Sequence, residues 1–405
     1  MASGRLQPAR ARLESLDVLR GVAVLGIYIV NVQAFAMIPQ AYQNSSLALD
    51  FGPDARAAAR LILVGFEGKF ITIFSALFGA GMVLMAGRGD DPARVDLHRR
   101  RMGWLALIGV IHAYGLWFGD ILLPYAVAGL LLVGALKWET ARLVWVGLAL
   151  TAATSLLFGL LVLAAAVAPP EDYAEMIGDS WALTPEAAES WRETFRSNWL
   201  ARAPRVIGYT FEAQMSTLVV FMPRIVGVMM IGMALFRSGF FSGGWSIGRL
   251  AAAAALAPIG LAGSWIGAEI CFAANFDFLE CAPGMLLGDV ASAVQALGYA
   301  AIVMLLCRVP WLALVRAPFA ATGRMAITNY LGCTVFSVLL FYGPPGLGQI
   351  GTFNHVGQVR LALLVWVFML VFSTVWLAVF RFGPVEWAWR SLTYRRLQPM
   401  LKRGS

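Results

Sequence analysis

Long apolar blocks, separated by short polar connections, run along the whole chain. Ten can be marked, at roughly 17–38, 57–86, 102–118, 120–137, 141–168, 213–236, 249–272, 285–307, 322–343 and 359–380. Most are near the ~20 residues that a helix needs to cross the hydrocarbon of a bilayer. The pattern predicts an all-α polytopic membrane helix bundle of about ten spans. The block at 57–86 is longer than one span requires. It reads as one tilted helix, or as a short interfacial helix leading into a span. Ala34-Phe35-Ala36 resembles a small-residue cleavage site. The block before it is too long for a signal h-region and carries polar residues, so it reads as an uncleaved first span.

Lys and Arg give the orientation. With the N-terminus inside, the inner segments hold Arg5, Arg10 and Arg12, the cluster from Arg88 to Arg101, and the tail from Arg381 to Arg403. The outer segments hold far fewer, which is the positive-inside bias. An even span number returns the C-terminus inside. The chain then divides into an N-terminal half with five spans (1–168), an outer loop or cap (169–212), a C-terminal half with five spans (213–396) and a cytoplasmic tail (397–405). The cap carries Glu171, Asp172, Glu175, Asp179, Glu186, Glu189 and Glu193, with helix starts expected at Ser180-Trp181 and Thr184-Pro185-Glu186. Its aromatics favour an ordered structure lying on the membrane.

Composition agrees. Of the 405 residues 60% are hydrophobic and only 13% charged, with a mean hydropathy of +0.73; soluble domains carry about a quarter charged residues. The net charge of +8 sits at block ends and so follows membrane orientation. The interleaved Arg and aromatic stripes of nucleic-acid binders are absent. Cys271, Cys281, Cys307 and Cys333 show no CxxC pair or metal spacing. Cys271 and Cys281 flank an outer loop, as a disulfide or, more simply, as two free thiols. No metal or prosthetic group is implied, and no phosphate loop, HExxH or GxSxG occurs.

Ionisable groups inside a span are costly, so each is a candidate for function. Asp17 and Arg20 share one helix face, and Asn31, eleven residues on, falls on that face ~16 Å further along. Glu67 and Lys69 are two apart and cannot face each other on one helix. Lys69 therefore snorkels, meets a counter-charge, or follows a chain break near Gly68. His112 and Asp120 flank a tight turn. His112 reads as a satisfied core residue or as a general base, and Asp120 as a helix cap or as the group orienting that base. Arg224 follows Pro223 inside a span. Arg324 and Asn329 open another. Glu386 and Arg390 stand in the favourable i,i+4 order.

Six segments together carry a resemblance. Leu16-Asp17 with Leu19-Arg20-Gly21, Gly68-Lys69-Phe70 with Phe78-Gly79-Ala80-Gly81, and His112 with Gly119-Asp120 look like the YeiB family of bacterial inner-membrane proteins. So do Arg237-Ser238-Gly239, Gly323-Arg324-Met325 with Thr328-Asn329-Tyr330, and Gly383-Pro384-Val385-Glu386-Trp387 with Trp389-Arg390. The C-terminal part resembles that family's domain of unknown function. The resemblance implies a multi-pass protein of the inner membrane. The first-span pattern is also distantly similar to membrane acyltransferases of the heparan-alpha-glucosaminide N-acetyltransferase and acyltransferase-3 type. Where those enzymes place a His, this chain has Asn31 or Tyr42.

That second similarity implies acyl transfer from a cytoplasmic acyl-CoA to an extracytoplasmic acceptor. Arg20, with Arg316 and Arg324, would hold the donor phosphates, Asn31 the thioester carbonyl, and His112, oriented by Asp120, would be the base. The alternative is a transporter or a lipid- or anion-binding protein without covalent chemistry, in which Glu67, Lys69 and Arg224 hold an anion at the midplane. The topology has a direct test. A reporter fused after Ser405 should be active only in the cytoplasm, and one inserted near Ser180 only outside; activity of both on one side defeats the arrangement.

Overall fold

The computed structural model describes residues 9–178 and 180–402, with side chains from Glu14 onward. Arg5, Asp179 and Arg403, and the side chains of Arg10 and Arg12, lie outside the described residues. The fold is all-α. Among the described residues there is no strand, only an isolated bridge between Phe380 and Leu401.

The first half runs through α1 (Ala9–Ala36), α2 (Pro39–Gln43), α3 (Pro53–Gly65), α4 (Lys69–Ala86), α5 (Pro92–Gly115), α6 (Leu122–Leu131) and α7 (Thr140–Val167). Then come α8 (Pro170–Gly178), α9 (Pro185–Arg196) and α10 (Trp199–Ser216), which continues through a π-helical turn into α11 (Met222–Arg237). The chain ends with α12 (Ile247–Ala254), α13 (Leu256–Ala273), α14 (Phe278–Leu306), α15 (Ala313–Arg324), α16 (Ala326–Phe341), α17 (His355–Val379) and α18 (Pro384–Tyr394).

Among the described residues, seven helical segments are long and apolar enough to cross a membrane: Glu14–Ala36, Pro53–Ala86, Thr140–Val167, Trp199–Arg237, Ile247–Ala273, Phe278–Leu306 and His355–Val379. Pro310–Arg324 and Ala326–Phe341 make an eighth if they cross together, although they meet at a 75° bend. The other two blocks expected from the sequence, 102–118 and 120–137, are not among these segments. The charged run His98-Arg99-Arg100-Arg101 occupies the first half of α5, and α6 has only ten residues before a 3-10 turn, Gly134–Lys137.

α1 is the central post. It is buried along most of its length and packs against α4, α14, α15, α16 and α17. α7 and α17 are peripheral and turn Leu156, Leu160 and Leu163, and Leu364, Phe368 and Val371, outward. Apolar side chains facing out are what lipid contact requires. Two crossings depend on glycine. A methyl group on Gly79 would overlap the Met229 carbonyl, and one on Gly232 the Ala76 carbonyl, so α4 and α11 touch backbone to backbone. Gly21 and Gly323 do the same for α1 and α15. Close approach through small residues is the main source of packing energy between helices in lipid.

The long block 57–86 is two helices. They break at Gly68, which adopts a left-handed φ of +78°. Beyond α7 the cap is ordered. Thr184 accepts from the Ala187 N–H to start α9, and Asn198 from Ala201 to start α10. Ser180-Trp181 starts no helix. Trp181 is buried instead, its indole donating to the Phe276 carbonyl at 2.7 Å. Cys271 and Cys281 are joined in a disulfide across the α13–α14 turn, contrary to the simpler reading as free thiols, while Cys307 and Cys333 are free.

The α4–α11 crossing gives a stability prediction. Gly232→Ala should destabilise by about 1–3 kcal/mol, as an overpacked interface does. Gly103→Ala, where the new methyl meets nothing within 4 Å, should be neutral or slightly stabilising. Thermal unfolding in detergent measures both; equal melting temperatures for the two variants would refute the tight crossing.

Candidate functional site

The end of the bundle where α1 begins holds a pocket of about 410 Å³. Its walls come from α1, α4, α5, α6, the α15–α16 bend and the segment 381–390. The interior is apolar, with Phe74, Leu77, Phe78, Met82, Met102 and Leu105. The rim is cationic. Arg20, Arg101, Arg324, Arg381 and Arg390 line it against only Asp17 and Glu386, five positive groups to two negative, an excess of three.

Both carboxylates are occupied. Asp17 takes Arg20 at 2.9 Å, in the i,i+3 pairing read from the sequence. The expected Glu386–Arg390 pair does not form. Glu386 turns to the bend instead and accepts from the N–H groups of Ile327 (2.7 Å) and Thr328 (3.0 Å) and from the Thr328 hydroxyl (2.5 Å). These are the donors left orphaned where α16 begins, so the carboxylate acts as a cap supplied by another helix. Burial raises the Glu386 pKa above its ordinary value, and the hydrogen bonds from Thr328 and Ile327 oppose it.

Apart from Arg20, the arginines here form no direct carboxylate pair among the described residues. Arg101 lies over the Trp389 ring, 4.1 Å from its centre, with one nitrogen 3.3 Å from the Met85 sulfur. Arg390 stacks on Phe382 at 4.6 Å, and Arg324 donates to the Arg381 carbonyl at 3.2 Å. Among the described residues none of these three makes a carboxylate ion pair. Arg316 lies elsewhere, paired with Glu14 at 2.9 Å.

A second cavity, of about 210 Å³, lies further along α1. Asn31 and Tyr42 both line it, with Phe66, Phe70, Trp117 and Phe118. The buried indole N–H of Trp117 has no hydrogen-bond partner among the described residues. Arg20 and Asn31 themselves are eleven residues apart, ~16 Å along α1, but the lining of the second cavity begins at Gly26.

His112 does not line the Asn31 cavity, as a base acting on a substrate held by Asn31 would have to. It is 1% exposed, with Nδ1 2.7 Å from Asp120 Oδ1 and Nε2 3.0 Å from the Thr334 hydroxyl. Trp117, Phe118, Gly119 and Ile121 form the cavity wall in front of it. Asp120 fills both roles considered for it. One oxygen holds His112 and the other accepts from the Leu123 N–H at 2.7 Å, starting α6.

The midplane anion site of Glu67, Lys69 and Arg224 is not assembled, because each cation is already committed. Lys69 Nζ donates to the Leu63 carbonyl at 2.7 Å and so closes the C-terminal end of α3. Arg224 pairs with Asp289 at 2.6 Å, and Ser155 donates to the same oxygen. Glu67 is half-buried in the break itself. Asn329 bonds the Thr322 carbonyl and Ser373 across the α15–α16 bend.

Arg101, Arg381 and Trp389 stood out in the sequence only as orientation or motif residues, not as site residues, and Thr334 and Asp289 did not stand out at all. A signal for Arg101 existed. His98, Met102 and Leu105 recur at helical spacing and are buried, and Arg101 sits within that stripe while Arg99 faces out. No local pattern pointed to Asp289 or Thr334.

A family model described as a protein of unknown function, DUF418, matches residues 235–396, which include the α15–α18 wall of the charged pocket. Three relatives match nearly end to end. Uncharacterized protein YeiB of Escherichia coli K12 is 31% identical, over 96% of this chain and 98% of that protein. Uncharacterized protein YxaH of Bacillus subtilis 168 is 32% identical, over 98% of each. An uncharacterized 39.9 kDa protein in the amylase 3' region of Bacillus acidopullulyticus is 28% identical, over 96% of each.

The cap at the bend predicts a graded response. Glu386→Ala leaves buried N–H groups unmatched and should cost about 1–3 kcal/mol, whereas Glu386→Gln keeps an acceptor oxygen and should cost less. The folded carboxyl titrates above its ordinary 4.5, so the folded state binds more protons and the wild type should lose stability as pH rises above that value. Glu386→Gln should lack this slope. Denaturation of the three proteins between acid and neutral pH measures it; parallel profiles would show that burial does not govern the group.

Proposed function

The chain belongs to the YeiB family, and from that premise we propose that it binds an amphiphilic, phosphate-bearing anion in the pocket where α1 begins. The observation that carries this is Arg101. It is a cation inside the bundle, stacked on Trp389, with no carboxylate partner among the described residues. A charge so placed is costly unless a ligand neutralises it. The charged rim suits phosphate, and the apolar interior, rich in Phe and Met, suits a hydrocarbon tail. An inorganic anion would leave that interior unused.

The proposed setting is the bacterial inner membrane, with the pocket open to the cytoplasm. The arginine excess at this end agrees with that orientation. So does the Cys271–Cys281 disulfide at the opposite end, since disulfides persist in oxidising compartments. Acyl-CoA, which combines phosphates with an acyl tail, is then a fitting ligand from the cytoplasmic side.

Two outcomes of binding remain distinct. In the first the protein binds or moves the anion without covalent chemistry. The sealed position of His112 favours this, because an imidazole with both nitrogens engaged behind a cavity wall is not placed to take a proton from an acceptor. In the second the protein transfers the acyl group to an extracytoplasmic acceptor. The Asn31–Tyr42 cavity favours this, since its position along α1 would let a bound thioester carbonyl accept from the Asn31 amide. Release of free thiol from acyl-CoA separates the two.

Titration of the purified protein in detergent with a long-chain acyl-CoA, and with free CoA, tests the binding. Acyl-CoA should bind more tightly than CoA, and less tightly as salt is raised. Arg101→Ala and Arg324→Ala should each weaken binding about tenfold or more. Arg20→Lys should weaken it less than Arg20→Ala, because Lys keeps the charge but loses the planar fork. Unchanged affinity in the Arg101 and Arg324 variants would remove the pocket as the site.

A further inference from the structure

The charged pocket and the Asn31 cavity end on the same layer of side chains. On α4, Ile71 lines the Asn31 cavity, and Phe74, about one turn along, lines the charged pocket. At the start of α6, Ile121 lines the one while Leu122 and Tyr125 line the other. Little more than one shell of side chains therefore separates them.

The two aromatic rings in that shell are held differently. Tyr125 is 2% exposed, its hydroxyl 2.6 Å from that of Ser75 and 3.3 Å from the Ile71 carbonyl. Phe78 also packs edge-on against it, with ring centres 5.4 Å apart. Phe74 is half-buried, stacks on Tyr125 at 6.0 Å, and has only apolar contacts to hold it. One ring is anchored by hydrogen bonds, and the other is held by apolar packing alone.

We infer that Phe74 is the movable half of a partition, with Tyr125 as its fixed half, and that it sets how deep the tail of the bound anion reaches. A short tail ends in the charged pocket against the Phe74 ring. A longer one must displace the ring to enter the Asn31 cavity. The inference rests on the amphiphile reading of the pocket and adds a chain-length selector to it. On this inference, loss of the ring opens the charged pocket of about 410 Å³ toward the Asn31 cavity of about 210 Å³.

An acyl-CoA series of increasing chain length, titrated against purified protein, tests this. Each further methylene that becomes buried should strengthen binding about fourfold, until the tail meets the partition. In the wild type the gain should then level off. In Phe74→Ala it should continue for several more methylenes before levelling, even though short chains lose their contact with the ring and bind somewhat more weakly. Phe74→Leu keeps apolar packing and should move the limit in the same direction by less, which covers failure of the alanine variant to fold. An unchanged limit in both variants, or a uniform loss at every length, overturns the partition while leaving the pocket intact. No binding at any length overturns the pocket reading, and the partition with it.

Discussion

Within the hydrocarbon of a bilayer, a helix that stops leaves N–H or C=O groups that water cannot reach, and each costs several kcal/mol unless another group meets it. This chain stops helices repeatedly and meets the cost with charged side chains. Lys69 closes the end of α3 at Leu63, and Glu386 opens α16 at Ile327 and Thr328. Asp120 opens α6, Arg237 bonds the carbonyls of Leu136 and Trp138, and Arg308 those of Gly243 and Trp245. For Lys69 and Asp120 the broken helix and the buried charge are one feature seen from two sides.

That constraint also isolates the site. Once the capping charges are set aside, with Arg202 on the Ser197 and Gly343 carbonyls and the Arg224–Asp289, Arg316–Glu14, Arg60–Glu269 and Arg192–Glu189 pairs, a group of cations without carboxylate pairs is left around the α15–α16 bend. The bend exists because Glu386 supplies what α16 lacks at its start, and in doing so Glu386 turns away from Arg390. A single carboxylate thus shapes the pocket wall and leaves its positive charge uncompensated. The side chains of α4 complete the pocket, held in place by the glycine contacts with α11.

His112 and Asp120 flank one turn, and two hydrogen bonds join them to each other and to Thr334 on the distant α16. Imidazole, carboxylate and hydroxyl in line are familiar from catalysis, yet here all three are buried and Asp120 also starts a helix. Their position ties the α5–α6 turn to α16. That turn carries Trp117 and Ile121, which wall the Asn31 cavity, so the group fixes the shape of the cavity from behind.

The sequence by itself determined the all-α membrane architecture, because long apolar blocks admit no other satisfied backbone. It also determined the Asp17–Arg20 pair and the alignment of Asn31 with them, since these follow from helical period alone. A break at Gly68 was one of three ways for Lys69 to sit so deep in an apolar block, beside snorkelling and a counter-charge, and packing selected it. What the chain could not disclose is which partner each charge would choose across helices. Glu386 stands four residues before Arg390, and local spacing favours that pair, but two orphaned N–H groups on a distant helix bind it instead. Lys69 and Arg224 looked alike as lone cations, and only packing gave one a carbonyl and the other Asp289. Helical period acts within one segment and can be read along it; the satisfaction of buried polar groups acts between segments, and only the tertiary structure decides it.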